Sequence, residues 1–211
     1  MSHVKKAREN ASKTLIKEFQ RHGMEACYCA TASDAKEKIL SLIPEGSSVT
    51  WGGSESLAQA GVCDAIVNGN YDFIDRKTAK TPEEARALYG KIVCADYFLT
   101  STNAFTKDGM LVNIDGASNR VACIAHGPAH VIVLASMNKL CSSVEDAVKR
   151  IRTHACPPNA VRVGVSTPCA KTGICGDCLS PECICCEILV TRYSRVPGRI
   201  QIVLCGEELG F

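Results

Sequence analysis

SSVTWGGSES, residues 47–56, reads as a strand over Ser47–Trp51, a glycine pair at Gly52 and Gly53, and a helix starting near Ser54. A strand that passes through a tight turn into a helix is one step of an α/β fold with a largely parallel sheet. The same alternation runs through residue 94. Val4, Ala7, Ala11, Leu15 and Phe19 are helix-spaced over residues 4–22, and Gly23 follows the last turn, where a left-handed cap is expected. Met24–Ala30 is a strand, and Ser33 is positioned to cap a helix over Asp34–Ile43 that Pro44 and Gly46 end. Tyr71–Ile74 is a further strand. Thr81, Pro82 and Glu84 form a capping box with proline at the first helical position, opening a helix to about Tyr89.

From residue 95 the pattern changes. Ala95–Ser101 is a strand, and Phe105–Ile114 reads as a hairpin turning at Asp108-Gly109. Arg120–Ile124 and His130–Ala135 are expected as strands with Gly127-Pro128 turning between them. Ser142 and Glu145 suggest another capping box, for a helix ending near His154. Glu187–Arg192 and Ile200–Cys205 are expected to pair around Pro197-Gly198. The expectation is an α/β fold, a single mixed-sheet domain over residues 1–211. It includes an N-terminal helical segment, 1–45, and a cysteine-rich loop, 169–186.

The chain has 211 residues, 46% apolar, with 24 basic and 22 acidic side chains for a net charge of +2. That balance leaves no electrostatic footprint for nucleic acid. MSHVKKARENASKTLIKEFQ, residues 1–20, lacks the apolar core of a secretory signal, and no run of 18 apolar residues forms a membrane span. A cytoplasmic location follows as the expectation, and there disulfides are rare. Cys63, Cys94, Cys123 and Cys205 then read as small buried hydrophobes.

Three segments carry chemistry. After the 47–51 strand, Gly52, Gly53 and Ser54 offer backbone N–H groups and a hydroxyl around an anion-sized space, although two glycines after a strand also make an ordinary turn. STNAFTKDGMLVNIDGASNR, residues 101–120, is dense in hydrogen-bonding side chains for a region that also reads as strands. Asn103, Asp115, Asn119 and Arg120 join the candidate ligand set. Arg120 at the head of an apolar run needs a partner, and a carboxylate or phosphate ligand or Asp115 itself would serve. CAKTGICGDCLSPECICC, residues 169–186, holds six of the 14 cysteines among turn formers. Thiolates select zinc, copper(I) or iron–sulfur clusters over hard metals. His126 and His130 are split by Gly127-Pro128, so they read as turn and strand-start residues. Lys139 reads as a solvated lysine within reach of an anion, and Trp51 as a core residue able to wall a pocket.

GGSES (52–56), TSTNAFTKDGMLVNIDGASNRVA (100–122), HGPAHVIVLASMNKL (126–140), PPNAVR (157–162) and the TPCAKTG-led cysteine run together resemble the LUD domain, the lactate-utilisation family of the LutC/YkgG type. The resemblance covers most of the chain, from about residue 5 to GEELGF. It implies a fold similar to sugar-phosphate isomerases and CoA transferases (NagB/RpiA-like), with GGSES where their anion-holding loop lies. Cys169, Cys175, Cys178 and Cys185 match the family's thiol pattern, while Cys183 and Cys186 depart from it. A single metal centre on those four thiolates is expected, an iron–sulfur cluster somewhat ahead of zinc. The function this implies is a cytoplasmic component of lactate or related organic-acid utilisation, binding a small anion and working with partner subunits of an oxidation complex. The alternative is a stand-alone enzyme or binding module for a small phosphorylated or CoA-linked ligand, with a structural zinc loop. No nucleophile–base pair is legible, so the reading assigns no catalytic residue.

Overall fold

The computed structural model describes residues 2–211. Helix α1 (His3–Arg21) leads into strand β1 (Glu25–Cys29), then α2 (Ala32–Ser41), β2 (Ser48–Trp51), α3 (Glu55–Gln59), α4 (Val62–Val67) and β3 (Asp72–Phe73). Next come α5 (Pro82–Val93), β4 (Tyr97–Ser101), the hairpin of β5 (Ala104–Thr106) and β6 (Leu111–Asp115), α6 (Asn119–Ala125) and β7 (His130–Ser136). A turn at Met137–Lys139 opens into β8 (Leu140–Cys141), α7 (Val144–Arg150), a π-helical turn (Ile151–Ala155), α8 (Cys156–Val163), α9 (Pro168–Thr172), β9 (Glu187–Thr191) and β10 (Ile200–Cys205).

Six strands form one parallel sheet in the order β1-β10-β7-β4-β2-β3. Its side chains alternate as a pleated strand requires. Phe98, Val131, Val133, Ile202 and Leu204 pack with Leu15 and Phe19 of α1, Ile92 of α5 and Ile124 of α6. Leu99, Ile132, Leu134 and Val203 face Ala35 and Ile39 of α2, Leu57 of α3 and Ile66 of α4. Strands covered on both faces are continuously apolar, as VIVLA in β7 shows. A second, mixed sheet, β8-β5-β6-β9, pairs β5-β6 and β6-β9 antiparallel and β5-β8 parallel, and is closed by Ala147 and Ile151 on the α7 side. Asp108-Gly109 makes the hairpin turn, with Gly109 at φ +82° and its N–H on the Thr106 carbonyl at 3.0 Å. Parallel and antiparallel pairing thus coexist, as the α/β reading expects, in two sheets.

Several local expectations are corrected. Arg120–Ile124 is helical, within α6, because the Asp115 carboxylate accepts from the N–H groups of both Arg120 and Val121 at 3.0 Å and caps the helix. Thr31, not Ser33, caps α2, in a box with Asp34. Ser143, not Ser142, caps α7 through the Asp146 N–H. The helical course does not stop at His154. The π turn passes Ile151–Ala155 directly into α8, whose first turn carries Pro157 and Pro158. The strands 187–191 and 200–205 do not pair with each other. The first joins β6 antiparallel, and the second lies between β1 and β7 in the parallel sheet. The cysteine stretch begins inside a short helix, α9. Cys123 and Cys205 are buried and Cys63 is partly so, but Cys94 is exposed at the end of α5.

Candidate functional site

Four strands of the parallel sheet end side by side, and the segments beyond them enclose a cleft of about 280 Å³. Gly53 and Ser54 come from beyond β2, Ser101 to Asn103 from the end of β4, Lys139 from beyond β7 and Gly210 from beyond β10. Open α/β sheets present ligand sites at this edge. Asp115, Asn119 and Arg120 line the same cleft, so six of the seven residues expected around a ligand share it.

Gly52 is the seventh, and it faces elsewhere. It lines an adjoining cavity of about 340 Å³ with Trp51, Tyr89, Phe98 and Cys123. Its N–H is taken by the Leu99 carbonyl at 3.1 Å. A β-carbon there would lie 3.0 Å from Arg120 Cγ and Cδ and 3.1 Å from Phe98 Cζ. Gly52 therefore makes room for the arginine stem. Trp51 stacks on Phe73, with ring centroids 4.2 Å apart, and still walls this cavity.

Arg120 is the hub of the central block. Its Nε donates to Asp115 Oδ1 at 2.9 Å, Nη1 to Asn113 Oδ1 at 3.0 Å and the Ser101 carbonyl at 3.3 Å, and Nη2 to Asn103 Oδ1 at 2.7 Å and the Ile114 carbonyl at 2.8 Å. All five guanidinium N–H groups thus end on protein acceptors. Asn103 Oδ1 also receives the Ile114 N–H at 3.0 Å. Arg120 and Asp115 form a pair whose side chains are 10% and 11% exposed. Of the two partners the sequence offered Arg120, the structure supplies Asp115.

The uncommitted cations lie opposite. A β-carbon on Gly53 would stand 3.2 Å from Arg76 Nη2 and 3.8 Å from Arg162 Nη2, so both guanidiniums crowd the bare glycine. Among the described residues neither arginine has a carboxylate within ion-pair distance. Arg162 is held by Asn159 Oδ1, at 3.0 Å from Nε and 2.7 Å from Nη2. Glu55, on the rim, accepts from Gln59. Ser54 caps α3 through the Leu57 N–H at 3.2 Å.

Lys139 overturns the expectation of a solvated side chain. It is 3% exposed, and its Nζ donates to Ser56 Oγ at 2.8 Å and Ser101 Oγ at 3.0 Å. Burial, and then the charges of Arg150 and Arg120, hold its amine at about 7, far below the usual lysine range. Arg76, Arg162 and Lys139 are the residues that sequence reasoning missed as a set. Arg76 stands in a helical turn after β3, Lys139 in the turn after β7 and Arg162 near the end of α8, so only the tertiary fold brings them together.

The cysteines form a second constellation. Cys169, Cys175, Cys178, Cys183, Cys185 and Cys186 line one cavity of about 340 Å³, joined by Cys156 from the start of α8. Cys183 Sγ and Cys185 Sγ are 3.2 Å apart, and Thr167 Oγ1 lies 3.3 Å from Cys169 Sγ. Burial, and then the neighbouring Cys169 and Cys175, push the Cys156 thiol up to about 11. Among the described residues no three potential ligands stand clustered at one point. The donor set, thiols around a roomy cavity, nonetheless suits a soft metal or cluster in chemistry and in space. Arg152 reaches over this loop to Asp177 at 2.7 Å. Ile184 lines both the thiol cavity and the sheet-end cleft. The loop is seated there on Gly116, where a β-carbon would come 2.9 Å from Ile184 Cα, and by the Cys186 N–H on the Asp115 carbonyl at 2.8 Å.

A parallel sheet covered by helices on both faces, with a polar cleft at its carboxyl edge, defines an open-sheet α/β protein. The LUD domain model matches residues 12–205, and the chain belongs to the LUD domain family. A crystallographically determined DUF162 family protein from Deinococcus radiodurans has a similar fold, with TM-score 0.56 and 11% identity over 94% of this chain and 98% of that one. The delta subunit of eIF2B from Chaetomium thermophilum aligns at TM-score 0.38 and 16% identity, over 61% of this chain and 52% of that one. No curated protein matches the sequence. No helix among the described residues is long and apolar enough to cross a membrane.

Proposed function

We propose that this chain binds a small organic-acid anion in the sheet-end cleft and acts in the cytoplasm as a component of lactate or related organic-acid utilisation. In this reading the thiol cavity carries a metal centre, and partner subunits complete an oxidation complex. The observation that supports it is the meeting of Arg76 and Arg162 at one cleft, neither of them in an ion pair with a carboxylate among the described residues, with the Lys139 amine on the same wall. A bound carboxylate supplies the missing charge, with the arginine fork matching its two oxygens. Asn103, Asp115, Asn119 and Arg120 give this site its rigid floor. Calorimetry with lactate at low ionic strength tests it. Replacing both Arg76 and Arg162 by alanine should weaken binding at least about tenfold, since a hydrogen bond to a charged group contributes roughly 1.5–3 kcal/mol. Equal affinity in wild type and double variant removes the arginines from the site.

The adjoining apolar cavity favours a second reading. It shares Arg76, Asn119 and Arg120 with the cleft and adds Trp51, Tyr89 and Phe98, so a longer ligand with a ring and a phosphate would span both. Binding of coenzyme A or a sugar phosphate, with none of lactate, selects that alternative.

Cys169, Cys175, Cys178 and Cys185 would hold the metal, an iron–sulfur cluster ahead of zinc. A cluster there would supply one-electron transfer, and zinc a structural clasp. Each bound cysteine must lose its proton, so metal content should fall as pH falls. Serine at any of the four should lower metal content of anaerobically purified protein, while Cys63→Ser should not. Unchanged metal in all four variants would sink the assignment, and the visible spectrum separates cluster from zinc.

A further inference from the structure

Lys139 has a place in the fold that neither packing nor pairing explains. It sits just beyond the end of β7, on the wall of the cleft, and is almost completely shielded from bulk solvent. A lysine kept for structure either extends its ammonium to water or neutralises an acid. Lys139 does neither. Its Nζ meets two serine hydroxyls, Ser56 of α3 and Ser101 of β4. The charges that bear on it are those of Arg150 of α7 and Arg120 of α6, both cationic; Asp115 in the same cleft is taken by Arg120, and among the described residues neither it nor Glu55 on the rim makes an ion pair with Lys139. Room beside the nitrogen is kept by Gly210, where a β-carbon would lie only 3.2 Å from Nζ and 2.5 Å from Ser56 Oγ.

A buried amine crowded by cations favours its neutral form, and a neutral amine is a nucleophile. We infer that Lys139 condenses with the carbonyl carbon of a small oxo acid whose carboxylate is held by Arg76 and Arg162. This inference rests on the reading of the cleft as an organic-anion site. The nitrogen lone pair forms a C–N bond as the carbonyl π pair moves to oxygen, giving a carbinolamine once the proton passes from nitrogen to oxygen. A second proton, taken from solvent through the Ser56 or Ser101 hydroxyl, lets that oxygen leave as water. The nitrogen lone pair then completes a protonated imine. No oxidant or reductant enters. The cationic imine draws electrons from the adjacent carbon and acidifies its C–H bond, so the chemistry open to the site is proton abstraction beside the former carbonyl.

The test is reductive trapping with pyruvate and sodium cyanoborohydride near pH 7, read by intact mass and peptide mapping. Wild type should take up one adduct, on the peptide carrying Lys139, at least about 100-fold faster than on any exposed lysine, whose ordinary pKa of about 10.4 leaves it protonated at that pH. Lys139→Arg and Lys139→Met, checked for folding by thermal melting, should lose that adduct. Label spread evenly over surface lysines, or retained in Lys139→Arg, overturns the inference. Calorimetry with pyruvate and no reductant separates the two readings. Tight pyruvate binding without an adduct refutes the nucleophile and leaves the anion site standing. Labelling of Lys139 that is unchanged when Arg76 and Arg162 are both alanine supports the amine but refutes the arginines as the anion site. Neither binding nor adduct refutes both.

Discussion

Arg120→Ala is expected to destabilise the protein by about 3–5 kcal/mol, the usual cost of removing one partner from a buried ion pair. The arginine satisfies acceptors on two stretches: on β6 the Asp115 carboxylate, the Ile114 carbonyl and Asn113, and at the end of β4 the Ser101 carbonyl and Asn103. Alanine would leave Asp115, itself nearly buried, as an uncompensated carboxylate beneath the first turn of α6. It would also open space under Gly52, against which the stem packs. Thermal denaturation should show a fall of roughly 6–20 °C for a chain of this size. Arg120→Lys should recover only part of the loss, because an ammonium cannot reproduce five donors in one plane. A melting temperature within about 2 °C of wild type for Arg120→Ala, under 1 kcal/mol on the same scale, would show that the hub contributes little.

Lys139→Met should act in the opposite direction and raise stability at neutral pH by about 1–4 kcal/mol, taking the gain seen when buried ion pairs give way to apolar side chains of similar volume as the scale. The native amine sits at about 7 against an ordinary 10.5. Between those values the unfolded chain binds a proton that the native protein does not. Wild-type stability must therefore rise with pH across that window, and below it the full penalty of the buried ammonium is present. The advantage of methionine should be largest at and below pH 7 and fade toward pH 10. Both serines keep other acceptors when the amine is gone, Ser56 on the Leu209 carbonyl at 3.2 Å and Ser101 on the Thr102 carbonyl at 3.2 Å. Urea titrations of both proteins at several pH values decide the matter, and a difference that does not vary with pH would contradict it. A residue that costs stability in the native state belongs to the class retained for function.

The α/β character was legible because capping boxes, glycine stops and apolar periodicity are local. Thr81, Pro82 and Glu84 open α5 as their spacing requires. What the sequence concealed depends on distant partners. VACIA at 121–125 is an apolar run that fits strand or helix alike. The choice is made by Asp115, which caps α6 from outside its usual position. Asn103, Asp115 and Arg120 were recognisable as a polar block within strands, yet their mutual satisfaction was not, because it needs the fold of β5 against β6. Lys139 ends an apolar strand and reads as a surface residue. Its burial comes from Ser56 and Gly210, which no spacing rule connects to it. The six thiols were visible by density alone, whereas Cys156 joins them only because the helical course continues past His154 through the π turn.

The position of β10 has a consequence for how the molecule comes to exist. Among the described residues β1 pairs with β10 alone, and β10 follows the other strands along the chain. As the polypeptide leaves the ribosome, β1 waits without a neighbour and β7 waits with one edge bare until residues 200–205 appear. Bare edges of apolar strands attract other chains. The nascent protein must therefore hold the edge of β1 from residue 29 and that of β7 from residue 136 until β10 emerges, and one insertion closes both at once. β1 gains its backbone partner by that same event, whereas α1 already has Phe98 and Val131 of the earlier strands to pack on.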